Sequence, residues 1–300
     1  MSFSAQAKSE LCRCPVGEKN TALAESCGVL LYCNTFSPEE IRVVTASLDF
    51  AQRLPKLFRR AFGVTFDQIP AENAPRHTFI LSEPGKVAAV ADACGYDFLR
   101  HHAHHVNFAL LEDEACRQSF LRGAFLAGGS VMEPSSGYHL EFVTDHSAVS
   151  REVEALLIEM GFRPGSSSRG GRYITYFKNS GAIEDLLTTL GAPVAAMAVM
   201  SEKISKSMTN TVNRRINCDE ANSDKTVAAA EKQLEAIRRL RDRGALEGLP
   251  EKLRDTAYLR LENPELSISQ LAEACVPPVT KSCLSHRLRR IAALAGTDGA

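Results

Sequence analysis

Cysteines and histidines able to hold a metal gather at only two places in this 300-residue chain, and their spacing argues against that use. Cys12 and Cys14 form a Cys-x-Cys pair, and His101, His102, His104 and His105 form a tight run. Zinc sites usually pair their ligands, the first pair commonly as Cys-x2-4-Cys; the nine cysteines here contain no Cys-x-x-Cys. No metal site or other cofactor is therefore expected, and the histidine run reads as a solvated connector. Cys27, Cys94 and Cys116 have apolar neighbours and are expected in the core. Hard divalent cations would need carboxylates, and the candidates are Glu25, Glu133 and Glu141. A different chemistry is offered near the end of the chain. Lys281, Ser282, Ser285, His286, Arg289 and Arg290, with Thr280 just ahead of them, fall away from apolar Leu284, Leu288 and Ile291 if the segment is helical. Such a face suits contacts to phosphates and base edges. Asn213, Arg214 and Asn217 suit the same contacts, and equally a capped polar junction between domains.

The elements that must position these groups show an internal repeat. Residues 24–35 align with Leu121-Arg122-Gly123-Ala124-Phe125-Leu126-Ala127-Gly128-Gly129-Ser130 when Gly28 is placed on Gly123. Downstream, Arg76 to Leu81 followed by Gly85 and Gly95 mirrors Arg172 to Phe177 followed by Gly181 and Gly191. Hydrophobic periodicity predicts helices over 21–33, 48–62 and 87–94 and strands over 41–45 and 76–81 in the first half. The second half answers with helices over 117–128, 147–160 and 181–190 and strands over 138–144 and 172–178. Short strands are expected near 64–69 and 162–166, giving α-β-β-α-β-β-α in each half. Gly28, Ala124, Ala127 and Gly128 would let two helices approach more closely than the usual 8 to 10 Å.

The run 121–130 resembles the LAGLIDADG helix of homing endonucleases, with Leu126 and Gly128 where that motif carries aspartates. In that family the helix ends hold metal-binding carboxylates; the matching positions here are Cys33 and Gly128. No catalytic residue is assigned. The competing nuclease reading would have to draw its acids from Glu25, Glu133 or Glu141. A third reading makes the repeated domain a protein-interaction platform, although Arg42, Arg76, Arg172 and Lys178 near the strands leave DNA contact open.

With 44% hydrophobic and 24% charged residues, the composition is that of a soluble globular protein. No apolar run reaches the roughly 18 residues of a membrane span, and residues 1–11 lack the apolar core of a signal peptide and read as an amphipathic helix. A cytoplasmic location with reduced thiols is the expectation. Residues 202–300 hold 17 basic and 14 acidic side chains, a net of +3, against 18 and 22, a net of −4, in the first 201. That asymmetry favours an anionic partner for the C-terminal part. There, helices are predicted over 226–243, 249–261, 266–274 and 282–293, the last two joined by residues 275–281 as a helix-turn-helix. The turn is longer than the usual 3 to 4 residues and carries Pro277 and Pro278 in place of glycine.

Taken in order, the degenerate repeat, the segment 121–130, the Asn-x-x-Asn-Arg-x-x-Asn-Cys-x-x-Ala-Asn segment at 210–222 and the Ser-x-x-x-His-Arg-Leu-Arg segment at 282–289 resemble the WhiA family along nearly the whole chain. The resemblance implies a bacterial DNA-binding regulator linked to cell division and chromosome segregation, and to septation in sporulating relatives, with no enzymatic activity. The expected fold class is α+β, with a duplicated LAGLIDADG-like domain followed by an all-α helix-turn-helix domain. The domain over 1–200 has halves near 1–97 and 112–195, a linker and long helix fill 201–245, and the DNA-binding domain spans 246–300. Double-stranded DNA is the expected partner, with other regulatory or division proteins beside it, in association with the nucleoid. Since both halves lie in one chain, the N-terminal domain needs no dimer.

Overall fold

Two helices with glycines on their facing sides, α2 (Lys19–Tyr32) and α5 (Glu114–Gly128), meet backbone to backbone. A Cβ on Gly28 would stand 2.0 Å from the Phe120 carbonyl oxygen, and one on Gly123 would stand 2.0 Å from that of Glu25. Each glycine thus accommodates the other helix at the equivalent place, which is the alignment of Gly28 with Gly123 made physical. From Ala22 to Tyr32 every residue of α2 except Leu23 is buried, as expected of a helix covered on all sides. The computed structural model describes residues 1–71, 75–98 and 103–296. These form two units, Met1–Ser207 and Met208–Ala300.

In the first unit, α1 (Phe3–Arg13) precedes the repeat. The first half continues from α2 through β1 (Thr35–Phe36), β2 (Ile41–Thr45), α3 (Leu48–Phe62), β3 (His77–Leu81) and α4 (Pro84–Ala93). The second runs from α5 through β4 (Gly129–Val131), β5 (Leu140–Thr144), α6 (Ser147–Glu159), β6 (Gly165–Arg169), β7 (Arg172–Phe177) and α7 (Ser180–Leu190). Both sheets are antiparallel, ordered β1-β2-β3 and β4-β5-β7-β6. Strand alternation places Ile41, Val43, Phe79 and Leu81 in the core in one half, and Leu140, Phe142 and Phe177 in the other. Cys27, Cys94 and Cys116 are buried, in line with their apolar neighbours.

The halves differ at the strand expected near 64–69. Only Gln68 bridges to Ile80 there, so among the described residues the first sheet has three strands and the second four. The cause lies in Asp67, whose carboxylate accepts the Ser82 and Glu83 amides at 2.8 Å each and pairs with Lys86. This ties the segment to the start of α4 beside its short backbone pairing with Ile80 of β3. In the second half the corresponding strand begins at Gly165, three residues later than expected from Phe162, which packs its ring on Phe177.

The stretch read as a polar junction, 208–222, is helical. It lies inside α8 (Pro193–Asp242), a 50-residue helix with no glycine and no proline after its first residue. Asparagine costs a helix only up to about 0.7 kcal/mol relative to alanine, too little to end one without a stronger breaker. The helix stops at Gly244, whose φ of +68° turns the chain so that the Ala245 amide reaches the Leu240 carbonyl at 3.0 Å. At the other end Glu10 of α1 supplies the cap, accepting the Val194 and Ala195 amides at 2.7 and 2.9 Å. Glu10→Ala should therefore destabilise the first unit by about 1 kcal/mol. A urea midpoint equal to that of the wild type would count against the cap.

The second unit gathers the end of α8 with α9 (Glu251–Glu262), α10 (Ile268–Glu273) and α11 (Lys281–Gly296) around Ile237, Leu240, Leu253, Ala257, Leu271, Leu284, Leu288 and Ile291. Ser267 caps α10 in a reciprocal box with Gln270. Buried Arg260 donates to the Leu266 carbonyl, tying the end of α9 to the approach to α10.

Candidate DNA interface and the altered helix ends

The C-terminal ends of α2 and α5 are where the motif would carry metal-binding acids. At the first, the Cys33 thiol donates to the Leu30 and Thr35 carbonyls at 3.1 Å each, and burial pushes it up to about 12, so it stays protonated. At the second, a Cβ on Gly128 would stand 2.6 Å from both the Val143 carbonyl oxygen and the Tyr32 ring, leaving no room for a carboxylate. Leu126 is buried. A polar cleft beside these ends, bounded by Asn34, Asp145, His146 and Arg172, has one acid, and Asp145 pairs with Arg172 at 3.4 Å. Among the described residues, no group of three or more His, Cys, Asp or Glu side chains is placed to hold a metal ion.

Of the three acids weighed for a nuclease, Glu25 and Glu141 are otherwise engaged. Glu25 is 2% exposed and takes a two-pronged contact from Arg53, at 2.6 and 2.7 Å, while Arg122 reaches it at 3.4 Å. Arg53 also donates to the Cys12 and Cys14 carbonyls, and Arg122 to the Leu190 carbonyl at 2.7 Å. The acid therefore anchors α1, α2, α3, α5 and the end of α7. Glu141 accepts Ser130 at 3.0 Å and faces His139 at 3.1 Å, and Glu133 is exposed in the loop after β4.

The histidine run is only partly described, since His101 and His102 lie outside the described residues. His104 departs from the expected solvated connector: it stacks on His146 at 4.1 Å, packs by Phe36 and Tyr96, and meets the Phe36 carbonyl at 2.8 Å. Both imidazoles are pushed below the usual histidine value by burial, His104 also by His146 and His105; Asp145 opposes the shift at His146. The neutral rings thus belong to the folded state, while the unfolded chain takes up protons first as pH falls through about 6.5. Acidification from pH 7.5 to 5.5 should lower Tm by a few degrees, less so in a His104→Gln/His146→Gln variant. Parallel Tm curves for the two proteins would remove the pair as the cause.

In the second unit, α11 offers the face anticipated from sequence. Lys281, Ser282, His286, Arg289 and Arg290 are exposed and Ser285 is half-buried, whereas Leu284, Leu288 and Ile291 enter the core. The Thr280 hydroxyl accepts the Cys283 amide at 3.2 Å, so that residue caps α11 besides standing at the candidate surface. The long turn before it closes by a hydrogen bond from the Val279 amide to the Ala272 carbonyl at 3.0 Å, leaving Val276 at its exposed tip. Arg287, within the 282–289 motif, turns inward and donates to the Thr256 hydroxyl at 3.4 Å, joining α11 to α9. Its place between Leu284 and Leu288, beside the apolar stripe, was the available signal for that role. Asn213, Arg214 and Asn217 are exposed on α8, more than three turns before Ala230, which among the described residues is the first of that helix buried in this unit. They form a group separate from α11 in sequence and in element.

Comparisons with known proteins match this arrangement. A family model described as the WhiA C-terminal HTH domain matches residues 212–295, and one described as the WhiA LAGLIDADG-like domain matches residues 117–209. The chain is 36% identical over 307 residues to a protein of Heliobacterium modesticaldum named "Probable cell division protein WhiA", covering 98% of this chain and 96% of the other. A Clostridium perfringens protein of the same name is 33% identical, with 98% of each chain covered. The solved structure of full-length DUF199/WhiA from Thermatoga maritima superposes with a TM-score of 0.61 at 26% identity and covers all of both chains. With identity sustained along almost the entire length, and with the repeat and the terminal helices in the same order, the chain belongs to the WhiA family.

Proposed function

We propose that the chain binds duplex DNA through α11 and acts there as a transcriptional regulator tied to cell division and chromosome segregation, without catalysis. The observation that carries this reading is the composition of the exposed face of α11. Hydroxyls and an imidazole at Ser282, Ser285 and His286 are placed to meet bases, with Lys281, Arg289 and Arg290 flanking them for phosphates. The N-terminus of α11, which Thr280 caps, is a helix end that favours a phosphate. Asn213, Arg214 and Asn217 supply a second group of contacts from α8. In this reading residues 1–200 are a scaffold that has lost its metal ligands, 201–245 connect, and 246–300 recognise DNA in the nucleoid.

Removing one side chain that neutralises a phosphate should lower the slope of log affinity against log salt by about 0.9. Arg289→Ala/Arg290→Ala should therefore flatten that slope by roughly 2 and weaken binding roughly tenfold or more. Gel-shift titrations at several salt concentrations provide the test, and an unchanged slope would overturn the assignment. A protein partner for the first unit is the second reading, favoured by Arg42 and Arg172 already facing Glu40 and Asp145. Arg42→Ala/Arg172→Ala should then leave DNA affinity within twofold of wild type.

A further inference from the structure

Two thiols outside every site considered so far are in direct contact. Cys27, on α2, and Cys94, immediately after α4, are separated by 67 residues in sequence and by 2.6 Å between sulfurs. Their exposures are only 7% and 8%, and among the described residues no carboxylate or imidazole is bonded to either sulfur. Each also lines a small, mainly apolar cavity of about 20 Å³, whose wall includes Phe36, Tyr96, Leu111 and Phe120 together with polar His105 and Asn107. That space fits one water-sized molecule, on the order of a single solvent site. Glutathione or another bulky disulfide does not fit it; hydrogen peroxide is close to its size.

We infer that Cys27 and Cys94 are a site of disulfide formation, with hydrogen peroxide as the oxidant. One sulfur attacks a peroxide oxygen: an S–O bond forms, the O–O bond breaks, and the sulfenic acid and one water result. The second sulfur then attacks the first; the S–S bond forms, the S–O bond breaks, and the oxygen leaves as a second water carrying the thiol proton. Two thiols lose two electrons and one peroxide becomes two waters. Because the sulfurs already touch, the second step needs a shift of only about half an ångström to reach a bond of roughly 2.05 Å. Burial holds the Cys27 thiol well above its ordinary value, so the first step is slow at neutral pH and quickens as pH rises. The site therefore responds to sustained exposure to peroxide and not to a brief pulse. The bond would fasten α2, one of the two helices joining the halves, to the end of the first half.

The test uses the full chain with Cys218→Ser and Cys283→Ser, which removes the two exposed thiols. After treatment with hydrogen peroxide, free thiols are alkylated in denaturant and tryptic peptides are analysed by mass spectrometry without reduction. The expected result is a linked pair joining 20–42 to 87–100, two hydrogens lighter than the sum, which separates on adding dithiothreitol. Fragmentation should place the bond at Cys27 and not at Cys33. Closing a loop of this length should also raise Tm by roughly 5 to 10 °C. Cys94→Ser should abolish both the link and the rise. Full alkylation of Cys27 and Cys94 after prolonged oxidation, or a bond at Cys33, would overturn the inference, and both readouts come from protein whose paired cysteines are intact.

Discussion

Valine in place of Gly123 should lower the stability of the first unit by about 3 kcal/mol or more, a large share of the 5 to 15 kcal/mol typical of a folded domain. The reason is the nature of the obstacle. A new Cβ would lie 2.0 Å from the Glu25 carbonyl oxygen and 3.1 Å from the Val29 amide nitrogen, both backbone atoms inside a covered helix. A flexible side chain could swing aside; these atoms move only if α2 and α5 separate. Separation in turn opens gaps along a contact formed by Leu30, Phe120, Ala124 and their neighbours, all tightly packed. Gly28→Ala should act in the same direction, since its Cβ would meet the Phe120 carbonyl oxygen at 2.0 Å. Urea unfolding followed by circular dichroism checks both variants, and midpoints within error of the wild type would show that the helices are not held as closely as described.

Glu25→Ala should cost about 3 to 5 kcal/mol, because it leaves the Arg53 guanidinium buried without its counter-charge. Arg53 is 4% exposed, and its two contacts to Glu25 come from Nε and Nη2. Arg122, more accessible, would give up a weaker interaction at 3.4 Å and keep its bond to the Leu190 carbonyl. Removing both charges together is a different matter: Glu25→Met/Arg53→Met should recover a substantial part of the loss, since replacing a buried pair by apolar groups is often near neutral. The double-mutant cycle therefore discriminates a network of charge from simple loss of volume. Additive losses in the two single variants and their combination would refute the coupling.

Glu25 also shows where reading the chain as a sequence stops. As a carboxylate near the first motif it was a candidate metal ligand, and nothing local reveals that Arg53, on another helix, occupies it. Elements fixed by their own residues were legible: α3 runs over 48–62 as expected, because Ser47 caps its start through the Phe50 amide and Gly63 ends it at a φ of +71°. Strand β2 likewise matches residues 41–45, a short run rich in β-branched apolar residues. Elements decided by distant partners were not. The Asp67 side chain takes the amides of Ser82 and Glu83, and His104 finds its place by stacking on His146 of the other half. For α8, the asparagines between 210 and 222 looked like an interruption, whereas without glycine or proline nothing there is strong enough to stop a helix. On α11 the apolar stripe of Leu284, Leu288 and Ile291 determined which side faces outward, so the candidate DNA surface was readable. The place of Arg287 beside that stripe signalled its inward turn, but its partner on α9, Thr256, was not readable.

The matched glycines of α2 and α5 bear on how such a protein can change over generations. In a twofold homodimer, any substitution at the seam arrives on both sides at once, and its damage is doubled before selection can act. Here Gly28 and Gly123 are separate codons, so each side of the same seam can drift while the other holds. Among the described residues the halves already differ, with three strands in one sheet and four in the other. With both halves in a single chain, nothing requires them to remain copies, and each can carry a surface of its own.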